Sequence, residues 1–353
     1  LGVGEPDFAT PWHIRQAGIQ SLEDKKTRYT ANRGIAQLRN EISKYLLKRF
    51  DLDYNPDGDI LITVGGSEGI DCAVRAIVNP GDEVIIPQPS FVCYEPIVEM
   101  ARRKGICVMV DNTFGMGGYL FRPFEWGAHV SVHSATKWIG GHGTALGGVV
   151  VDGGNFDWTA EKYPLLAAPS ESYHGLVYKE VFGPAAFAGR VRVDGLRNIG
   201  PAPSPFNSFL MLQGLETLSL RAERSCDNTL AVAEFLEKHP AVESVNYPGL
   251  KSNPYHELGR KYLQHGFGGV LTFRVKGGFE AAAQLVTKLD LILHVGSVGD
   301  AKSLIVHPAS TTHSQLSPEE QVAAGVYPNM LRLSVGIENV DDLIADLAAA
   351  LEA

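Results

Sequence analysis

The spacing of apolar residues changes along the first part of the chain and predicts a helix followed by a strand. Over residues 34–50, Leu38, Ile42 and Leu46 recur every four residues, the spacing of one face of an amphipathic helix. A continuous apolar run at residues 60–64 then leads into a cluster of glycines. Such a run predicts a short buried strand that ends in a turn.

Further apolar runs predict the rest of the architecture. Helical spacing predicts one or two long helices over residues 207–238, and covering helices over 279–289 and 340–351. Residues 154–203 are rich in proline, glycine and aromatic residues and are predicted to be irregular. The elements after residue 238 predict a small α+β domain. Strands are predicted at residues 83–87, 106–110, 130–133, 146–151, 242–249, 268–275, 303–308 and 330–336.

A lysine stands where the pattern of one predicted strand breaks. In the stretch 129–148, HVSVHSATKWIGGHGTALGG, the strand alternation gives way to Ser134, Thr136 and Lys137 and then to glycines. A lysine amine beside small hydroxyl donors suits a Schiff base with an aldehyde cofactor that carries a phosphate, such as pyridoxal 5′-phosphate (PLP). The glycines would let the backbone approach a bulky ligand closely. The alternative is a solvated surface lysine followed by loop glycines.

Two other strand ends also carry candidate chemistry. The predicted strand at residues 60–64 runs into GGSEG at residues 65–69 and then into helical spacing. A glycine turn at a helix N-terminus can bind an anion, because unpaired N–H groups and the helix dipole face the turn. We therefore expect the amides of Ser67 and Glu68 to hold a phosphate, and the alternative is a plain turn capped by Ser67. Asp111 ends another predicted strand, although an isolated aspartate before asparagine is also typical of a turn.

Composition and charge narrow the classes of partner. The 353 residues are 44% hydrophobic and 20% charged, as in an ordinary globular chain with room for two domains. A net charge of −9 without a basic block argues against binding to nucleic acid or an anionic membrane, and no apolar run is long enough to span a bilayer. Small solutes are the expected partners.

Cysteine and histidine usage indicates neither a disulfide framework nor a metal site. The four cysteines lack disulfide-scaffold density and metal-pair spacing, and no signal peptide is visible, so a reducing cytoplasm is expected. His307 and His313 have no cysteine or acidic partner at ligand spacing. We therefore expect both histidines to be structural and no metal to be bound.

The motifs in the last two thirds of the chain resemble one enzyme family. From about residue 103 to residue 353 the chain resembles the Cys/Met-metabolism family of PLP enzymes, and within it the O-acetylhomoserine sulfhydrylases. The motifs that carry this resemblance are VDNTFGMGGYL (110–120), HSATKWIGGHG (133–143), PSESYHGLVYKEVFG (169–183), SPFNSFLMLQGLETLSLR (204–221), VGDAKSLIVHPASTTHSQLS (298–317) and LRLSVGIENVDD (331–342).

The first hundred residues resemble a different PLP family. LGVGEPDFATP at the start, YTANRGIAQLR (29–39), ILITVGGSEGID (60–71) and DEVIIPQPSFVCYEPIVEMA (82–101) are similar to the opening third of a class I/II aminotransferase. The two resemblances meet near residues 101–104.

Both resemblances imply the same fold class. The implied structure is α/β, a fold-type-I PLP-dependent transferase with a mostly parallel central sheet and a smaller C-terminal α+β domain. The expected large domain covers residues 1–215, aminotransferase-like over 1–101 and Cys/Met-family-like over 103–215, and the expected small domain covers 216–353. A homodimer or homotetramer is expected, because fold-type-I sites are built across a subunit interface.

The resemblances also imply a role for each candidate site residue. Lys137 would hold the cofactor covalently and shuttle protons, while Asp111 would pair with the protonated pyridine nitrogen. Arg332 would clamp the substrate carboxylate with its planar guanidinium, with Ser297 as a neighbouring contact. Phe91 would stack on the ring and Tyr29 would reach the phosphate from the neighbouring subunit, although both also suit buried structural aromatics. Ser67, Glu68, Ser134 and Thr136 would hold the phosphate.

Three functions are compatible with this pattern. The first replaces the acetate of O-acetylhomoserine by sulfide to give homocysteine, so the expected partners are a small amino-acid substrate and sulfide. The second is an amino-acid aminotransferase, which needs the same lysine. The third is an inactive chimeric protein of the PLP fold, because only twenty positions separate Phe91 from Asp111, where both families place roughly two more strand-helix units of about 30 residues each. If the missing segment supplies a strand between the Asp111 and Lys137 strands, their direct pairing would move Asp111 toward Lys137 by about 4.8 Å.

Overall fold

The computed structural model describes residues 33–63, 105–314 and 316–352, together with the single positions 12, 16, 19, 20, 23 and 72. Two sheets organise the described ranges, and one long helix contributes its first half to the core of the first sheet and its second half to the core of the second. Helices pack against both sheets, which gives the α/β architecture expected from the sequence. The predicted strand at residues 83–87 lies outside the described residues.

The first sheet contains four described strands. These are β1 (Ile60–Thr63), β2 (Met109–Asp111), β3 (Val130–Ser134) and β4 (Gly148–Asp152), in the order β1-β4-β3-β2. Strands β1, β2 and β3 run in one direction, and β4 runs in the opposite direction.

The expectation of a mostly parallel sheet therefore needs a correction for the described strands. Since β4 lies between β1 and β3, two of the three described pairings are antiparallel and only β2 with β3 is parallel. The physical reason is the connection at residues 135–147, which folds as turns and contains no crossover helix. A parallel return would need such a crossover.

The strand that ends at Asp111 pairs directly with the strand that leads to Lys137. Val110 lies opposite Ser131, and Asp111 lies opposite Val132. No described strand intervenes between them, so the carboxyl ends of β2 and β3 are neighbours at one edge of the sheet. This edge positions the candidate site.

The inner face of the first sheet is covered by α1 (Ala36–Phe50), which confirms the helix predicted from the apolar spacing. Leu38 and Ile42 are buried there with Ile60 and Ile62. The helix ends at Asp51, which adopts the left-handed conformation and whose N–H reaches the carbonyls of the last turn.

Residues 154–203 are more regular than the sequence predicted. Trp158, Tyr178 and Phe187 are buried against the outer face of the first sheet, so aromatic packing orders this stretch. Each helical piece is too short to show a 3.6-residue period in the sequence. The pieces are α2 (Pro164–Ala167), α3 (Tyr178–Phe182), α4 (Ala186–Arg190) and α5 (Arg197–Ile199), with a π-helical segment Val191–Leu196 between the last two.

Two consecutive helices lead to the second sheet. The sequence predicted one or two long helices over residues 207–238, and the structure has two. Helix α6 (Pro205–Glu216) begins after Ser204, whose side chain accepts a hydrogen bond from the Phe206 amide at 3.2 Å. Thr217 breaks the helical path, and α7 (Leu218–Lys238) follows.

The second sheet has the order β5-β6-β9-β8-β7, and only its β7–β8 pair is parallel. Its core draws on residues between 230 and 351, while Leu218, Ala222 and Cys226 at the start of α7 belong to the core of the first sheet. The domain boundary after residue 215 stays a prediction. Its strands are β5 (Val242–Asn246), β6 (Val270–Val275), β7 (Leu293–His294), β8 (Leu304–Val306) and β9 (Met330–Ser334). The accompanying helices are α8 (His256–Tyr262), α9 (Gly278–Leu285), α10 (Pro318–Ala323) and α11 (Val340–Glu352).

Short 3₁₀ segments complete the described secondary structure. They are Thr113–Gly118, Pro123–Trp126, Glu171–Tyr173, Gly183–Ala185 and Pro308–Ser310. Among the helices in the described ranges, none has the length and apolar character that a bilayer crossing requires.

A buried carboxylate at the end of β4 gives the first testable prediction. Asp152 is 4% exposed and accepts hydrogen bonds from the amides of Gly154 (3.0 Å) and Ala188 (3.1 Å), and burial raises its pKa to about 6. A carboxyl pKa that is higher in the folded state destabilises the fold as pH rises from the unfolded pKa toward the folded pKa. Relative to Asp152→Asn, the wild type should therefore lose on the order of 1 kcal/mol of unfolding free energy between about pH 5 and about pH 7.5.

Urea unfolding of both proteins at the two pH values measures this difference, and the comparison cancels the titration of all other groups. A difference that is independent of pH would show that Asp152 ionises normally in the fold.

Candidate active site

The local fold of the turn after β3 presents Lys137 at the sheet edge. The amide of Lys137 donates to the Ser134 carbonyl at 3.2 Å, and the amide of Gly141 donates to the Lys137 carbonyl at 2.7 Å. Gly141 has φ = 69°, a conformation that glycine adopts without strain. The tight turn places the lysine at the end of the strand, as the sequence predicted.

The side chain of Lys137 contacts the C-terminal domain. Its Nζ donates a hydrogen bond of 2.8 Å to Ser297 Oγ, from a residue 160 positions further along the chain. The carbonyl of Ser297 in turn faces the Arg332 guanidinium on β9, at a long 3.5 Å. The structure therefore brings together Lys137, Ser297 and Arg332, three of the residues singled out in the sequence.

This cluster carries positive charge in a partly buried place. Burial lowers the pKa of the Lys137 amine, and the charge of Arg332 lowers it further. Burial also lowers the pKa of Arg332. Within the described part of the chain, neither side chain forms a salt bridge with a carboxylate. An amine with a lowered pKa is a better nucleophile toward an aldehyde, and an unpaired arginine favours an anionic ligand.

Asp111 is oriented by a threonine that the sequence analysis missed. One carboxylate oxygen of Asp111 accepts hydrogen bonds from the Thr113 amide (3.0 Å) and the Thr113 hydroxyl (2.6 Å). The same hydroxyl accepts a hydrogen bond from the Ser134 amide at 2.8 Å. Thr113 thus links Asp111 to the strand end that precedes Lys137. The signal was the Asp-Asn-Thr turn, in which an aspartate binds the backbone two residues on.

The two hydroxyls beside Lys137 have different surroundings. Thr136 Oγ1 donates to the Gly147 carbonyl (3.3 Å) and accepts from the Gly147 amide (3.1 Å), so it closes the loop between β3 and β4. The Ser134 hydroxyl has no hydrogen-bond partner among the described residues. Of the two predicted phosphate contacts near the lysine, Ser134 therefore has the hydroxyl that is free to bind a ligand.

His133 is a second residue that the sequence analysis passed over. It lies in β3, and its ring is buried on the face of the sheet opposite to the Val132 side chain. Its Nε2 lies 3.0 Å from Ser131 Oγ on the same face. Burial lowers the pKa of His133 to about 4, against the opposing effect of Asp111, so the ring is neutral near pH 7. It lines a cavity of about 50 Å³ under α1, which has room for a few water molecules.

Four predicted cofactor contacts lie outside the described residues: Tyr29, Ser67, Glu68 and Phe91. Their roles stay predictions. His307 is held by Ser310 Oγ (2.9 Å) and the Pro328 carbonyl (2.8 Å). Across the described ranges, no group of three or more His, Cys, Asp and Glu side chains converges.

The fit of these residues to PLP rests on their chemistry. The nucleophilic lysine would suit the aldehyde of PLP, and the oriented carboxylate on the neighbouring strand would suit its pyridine nitrogen. The free serine hydroxyl would suit the phosphate, and the unpaired arginine would suit a substrate carboxylate. Together with the α/β fold, they have the chemistry expected of the class of PLP-dependent enzymes.

Comparison with known families gives the particular family. Residues 87–352 match the family described as Cys/Met metabolism PLP-dependent enzyme, and residues 1–116 match aminotransferase class I and II. The chain belongs to the Cys/Met metabolism PLP-dependent enzyme family. The two matches overlap over residues 87–116, and the joint predicted near residues 101–104 lies inside this overlap.

Individual relatives carry sulfhydrylase and synthase names. The chain is 55% identical over 257 residues to O-acetyl-L-homoserine sulfhydrylase 1 of Thermus thermophilus, covering 73% of this chain and 61% of the relative. It is 52% identical over 281 residues to homocysteine synthase of Schizosaccharomyces pombe, covering 79% and 64%. The chain thus spans less than two thirds of the length of these relatives.

A solved structure has a similar fold. A putative O-acetylhomoserine (thiol)-lyase from Campylobacter jejuni, which carries a pyridoxyl-lysine phosphate residue, superposes with a TM-score of 0.82 at 30% sequence identity. The match covers 100% of this chain and 94% of the other. The predicted fold class is confirmed, and so is the predicted cofactor at the level of the family, whose members are described as PLP-dependent.

Proposed function

We propose that this protein is a PLP-dependent O-acetylhomoserine sulfhydrylase, which converts O-acetylhomoserine and hydrosulfide into homocysteine and acetate. The observation that carries the proposal is the cluster in which Lys137 Nζ binds Ser297 Oγ beside the Arg332 guanidinium. The names of relatives support the choice of substrate. Four bacterial and yeast proteins that are 44–55% identical to this chain are named O-acetyl-L-homoserine sulfhydrylase, homocysteine synthase or homocysteine/cysteine synthase.

The residues of the described site have separate roles in this proposal. When bound, PLP supplies the electron sink for negative charge that develops on the substrate carbons. Lys137 carries the cofactor and, once freed by the substrate amine, moves protons at Cα and Cβ. Asp111, held by Thr113, keeps the pyridine nitrogen protonated, and the Ser134 hydroxyl binds phosphate. Arg332 and Ser297 bind the substrate carboxylate.

The other predicted contacts complete the proposed site. Thr136 shapes the loop behind the phosphate, and Ser67, Glu68, Phe91 and Tyr29 are proposed to contact PLP from the aminotransferase-like segment. Because Tyr29 would act in the neighbouring subunit's site, we propose a homodimer or homotetramer, which light scattering of the PLP-loaded protein would measure. A cytoplasmic location is proposed because the three described cysteines are free thiols.

A turnover assay tests the proposed reaction. Protein loaded with PLP is incubated with O-acetylhomoserine and sulfide, and homocysteine and acetate are measured by mass spectrometry. We expect both products in equal amounts, dependent on sulfide and absent with Lys137→Ala. Acetate and homocysteine at the level of the Lys137→Ala control would contradict the proposal.

The aminotransferase-like match over residues 1–116 favours a second candidate, an amino-acid aminotransferase. The same loaded protein would then convert PLP to its amine form with an amino acid in the absence of sulfide. The shortened segment before Asp111 keeps an inactive PLP-binding protein as the third candidate. It would give the lysine-bound cofactor but neither homocysteine nor the amine form of the cofactor.

A further inference from the structure

A buried arginine outside the predicted site binds the turn that carries Lys137. Arg221, in the first turn of α7, is 6% exposed. One nitrogen of its guanidinium donates to the Trp138 carbonyl at 2.9 Å, and another donates to the Gly214 carbonyl at 2.7 Å. Its Nε donates to Thr217 Oγ1 at 3.1 Å. Arg221 therefore joins the residue after Lys137 to the end of α6 and the break between the two helices.

The backbone of α6 lies too close to the backbone of the turn that carries Lys137 for a side chain to fit between them. A Cβ atom on Gly214 would overlap the carbonyl oxygens of Ile139 and Gly140. A Cβ atom on Gly141 would overlap the Arg221 guanidinium. The two glycines thus allow α6 and Arg221 to lie directly against the lysine turn.

The turn that carries Lys137 is also bound by a loop of the C-terminal part of the chain. The amide of Ala301 donates to the Gly141 carbonyl at 2.9 Å, and Ala301 belongs to the loop that carries Ser297. Arg221 and this loop therefore both bind the turn, and the loop also supplies the hydroxyl partner of Lys137 Nζ. A displacement of the turn would separate Lys137 from Ser297.

A buried guanidinium is costly unless its donors are bonded, so this arginine is not a simple packing residue. Burial lowers the pKa of Arg221 to about 10, with opposing contributions from Tyr45 and Asp300, so the side chain stays charged near pH 7. Charged donors make stronger hydrogen bonds to carbonyl oxygens than neutral donors do. The planar fork also reaches two carbonyls at once, which a lysine at this position could not do.

We propose that Arg221 is a positioning residue for Lys137: by binding the Trp138 and Gly214 carbonyls, it fixes the turn so that Nζ is presented to the cofactor aldehyde beside Ser297. Arg221 itself touches neither cofactor nor substrate. The inference rests on one part of the proposed function, the capture of PLP by Lys137.

The rate at which apo-protein captures PLP on Lys137 tests this role directly. Capture is followed by the absorbance of the lysine-bound cofactor and, after borohydride, by the intact mass. We expect Arg221→Met to slow capture per folded molecule on the order of tenfold to a hundredfold, since small misplacements of a reacting group cost this much. Arg221→Lys should fall between this variant and the wild type. Arg224→Met is the matched control, because Arg224 is exposed on the same helix and should leave the rate unchanged.

Two further measurements separate positioning from general destabilisation. Unfolding by urea gives the folded fraction of each variant, and Phe273→Ala, a buried site in the second sheet, shows what destabilisation alone does to capture. The pH midpoint of the lysine-bound absorbance should move in both Arg221 variants but not in Phe273→Ala. If Arg221→Met cannot be obtained folded, Arg221→Lys carries the same test.

The outcomes are distinct. Wild-type capture rates and pH midpoints in both Arg221 variants would overturn the positioning role, as would losses that match those of Phe273→Ala at the same folded fraction. A wild-type protein that captures no PLP would instead refute the proposed function, before any Arg221 variant is compared.

Discussion

Lys137→Ala should abolish covalent capture of PLP and reduce homocysteine formation by on the order of 10⁴-fold or more, the range seen when a covalent catalytic group is removed. The amine of Lys137 is the reacting atom in the proposed site, and its pKa is lowered by burial and by Arg332. The expected result is loss of the absorbance of lysine-bound cofactor and of the borohydride-fixed mass increment.

The matched control is Lys288→Ala, which removes an exposed lysine of the C-terminal domain. It should retain the absorbance, the mass increment and turnover. A Lys137→Ala protein that still shows a borohydride-fixed cofactor would place the covalent link on another residue. Peptide mapping of the reduced protein would then identify that residue.

The sequence predicted the position of Lys137 because the signal is local. Strand alternation over Val130 and Val132 ends at Ser134, and the glycines that follow permit a tight turn. The helix Ala36–Phe50 and the strands of the second sheet were predictable for the same reason, because their apolar periods are visible within one window. Ser297 and Arg332 were assigned from family resemblance, and their contact with Lys137 required the fold.

Arg221 and Thr113 were not predictable as parts of the site because their partners are distant backbone groups. Arg221 donates a hydrogen bond to the Trp138 carbonyl, 83 residues earlier in the chain. The Thr113 hydroxyl accepts a hydrogen bond from the Ser134 amide, 21 residues later. Backbone carbonyls and amides are present at almost every residue, so the sequence carries no mark of which ones converge. The antiparallel return of β4 was missed for a related reason, since it depends on how the loop after Lys137 folds.

The shortened segment before Asp111 was expected to alter the distance between the aspartate and the lysine strands. In the structure β2 pairs directly with β3, and Thr113 bonds both the Asp111 carboxylate and the Ser134 amide. The carboxylate and the lysine turn are therefore tied to one rigid sheet edge. The direct pairing on which the inactive alternative rests is therefore present, and the turnover assay decides between that alternative and the proposed reaction.

Replacement of Arg332 tests two effects of its guanidinium: binding of the substrate carboxylate and lowering of the pKa of Lys137. With Arg332→Leu, the KM for O-acetylhomoserine should rise by on the order of 10²-fold or more, because a partly buried charged contact to the substrate carboxylate is lost. The pKa of the Lys137 amine should rise at the same time, since the charge of Arg332 now lowers it. An amine with a higher pKa is protonated over a wider range, so the pH dependence of PLP capture should shift to higher pH.

Arg332→Lys distinguishes these effects, because it keeps a positive charge but not the bidentate fork. Its pH dependence of capture should stay close to that of the wild type, while its KM remains raised. The control is Arg274→Leu, which should change neither quantity. Arg274 lies on β6, the neighbour of β9, and pairs with Glu243 on β5. Normal KM values in both Arg332 variants would assign carboxylate binding to other residues. A normal pH dependence in Arg332→Leu would show that burial alone lowers the pKa of Lys137.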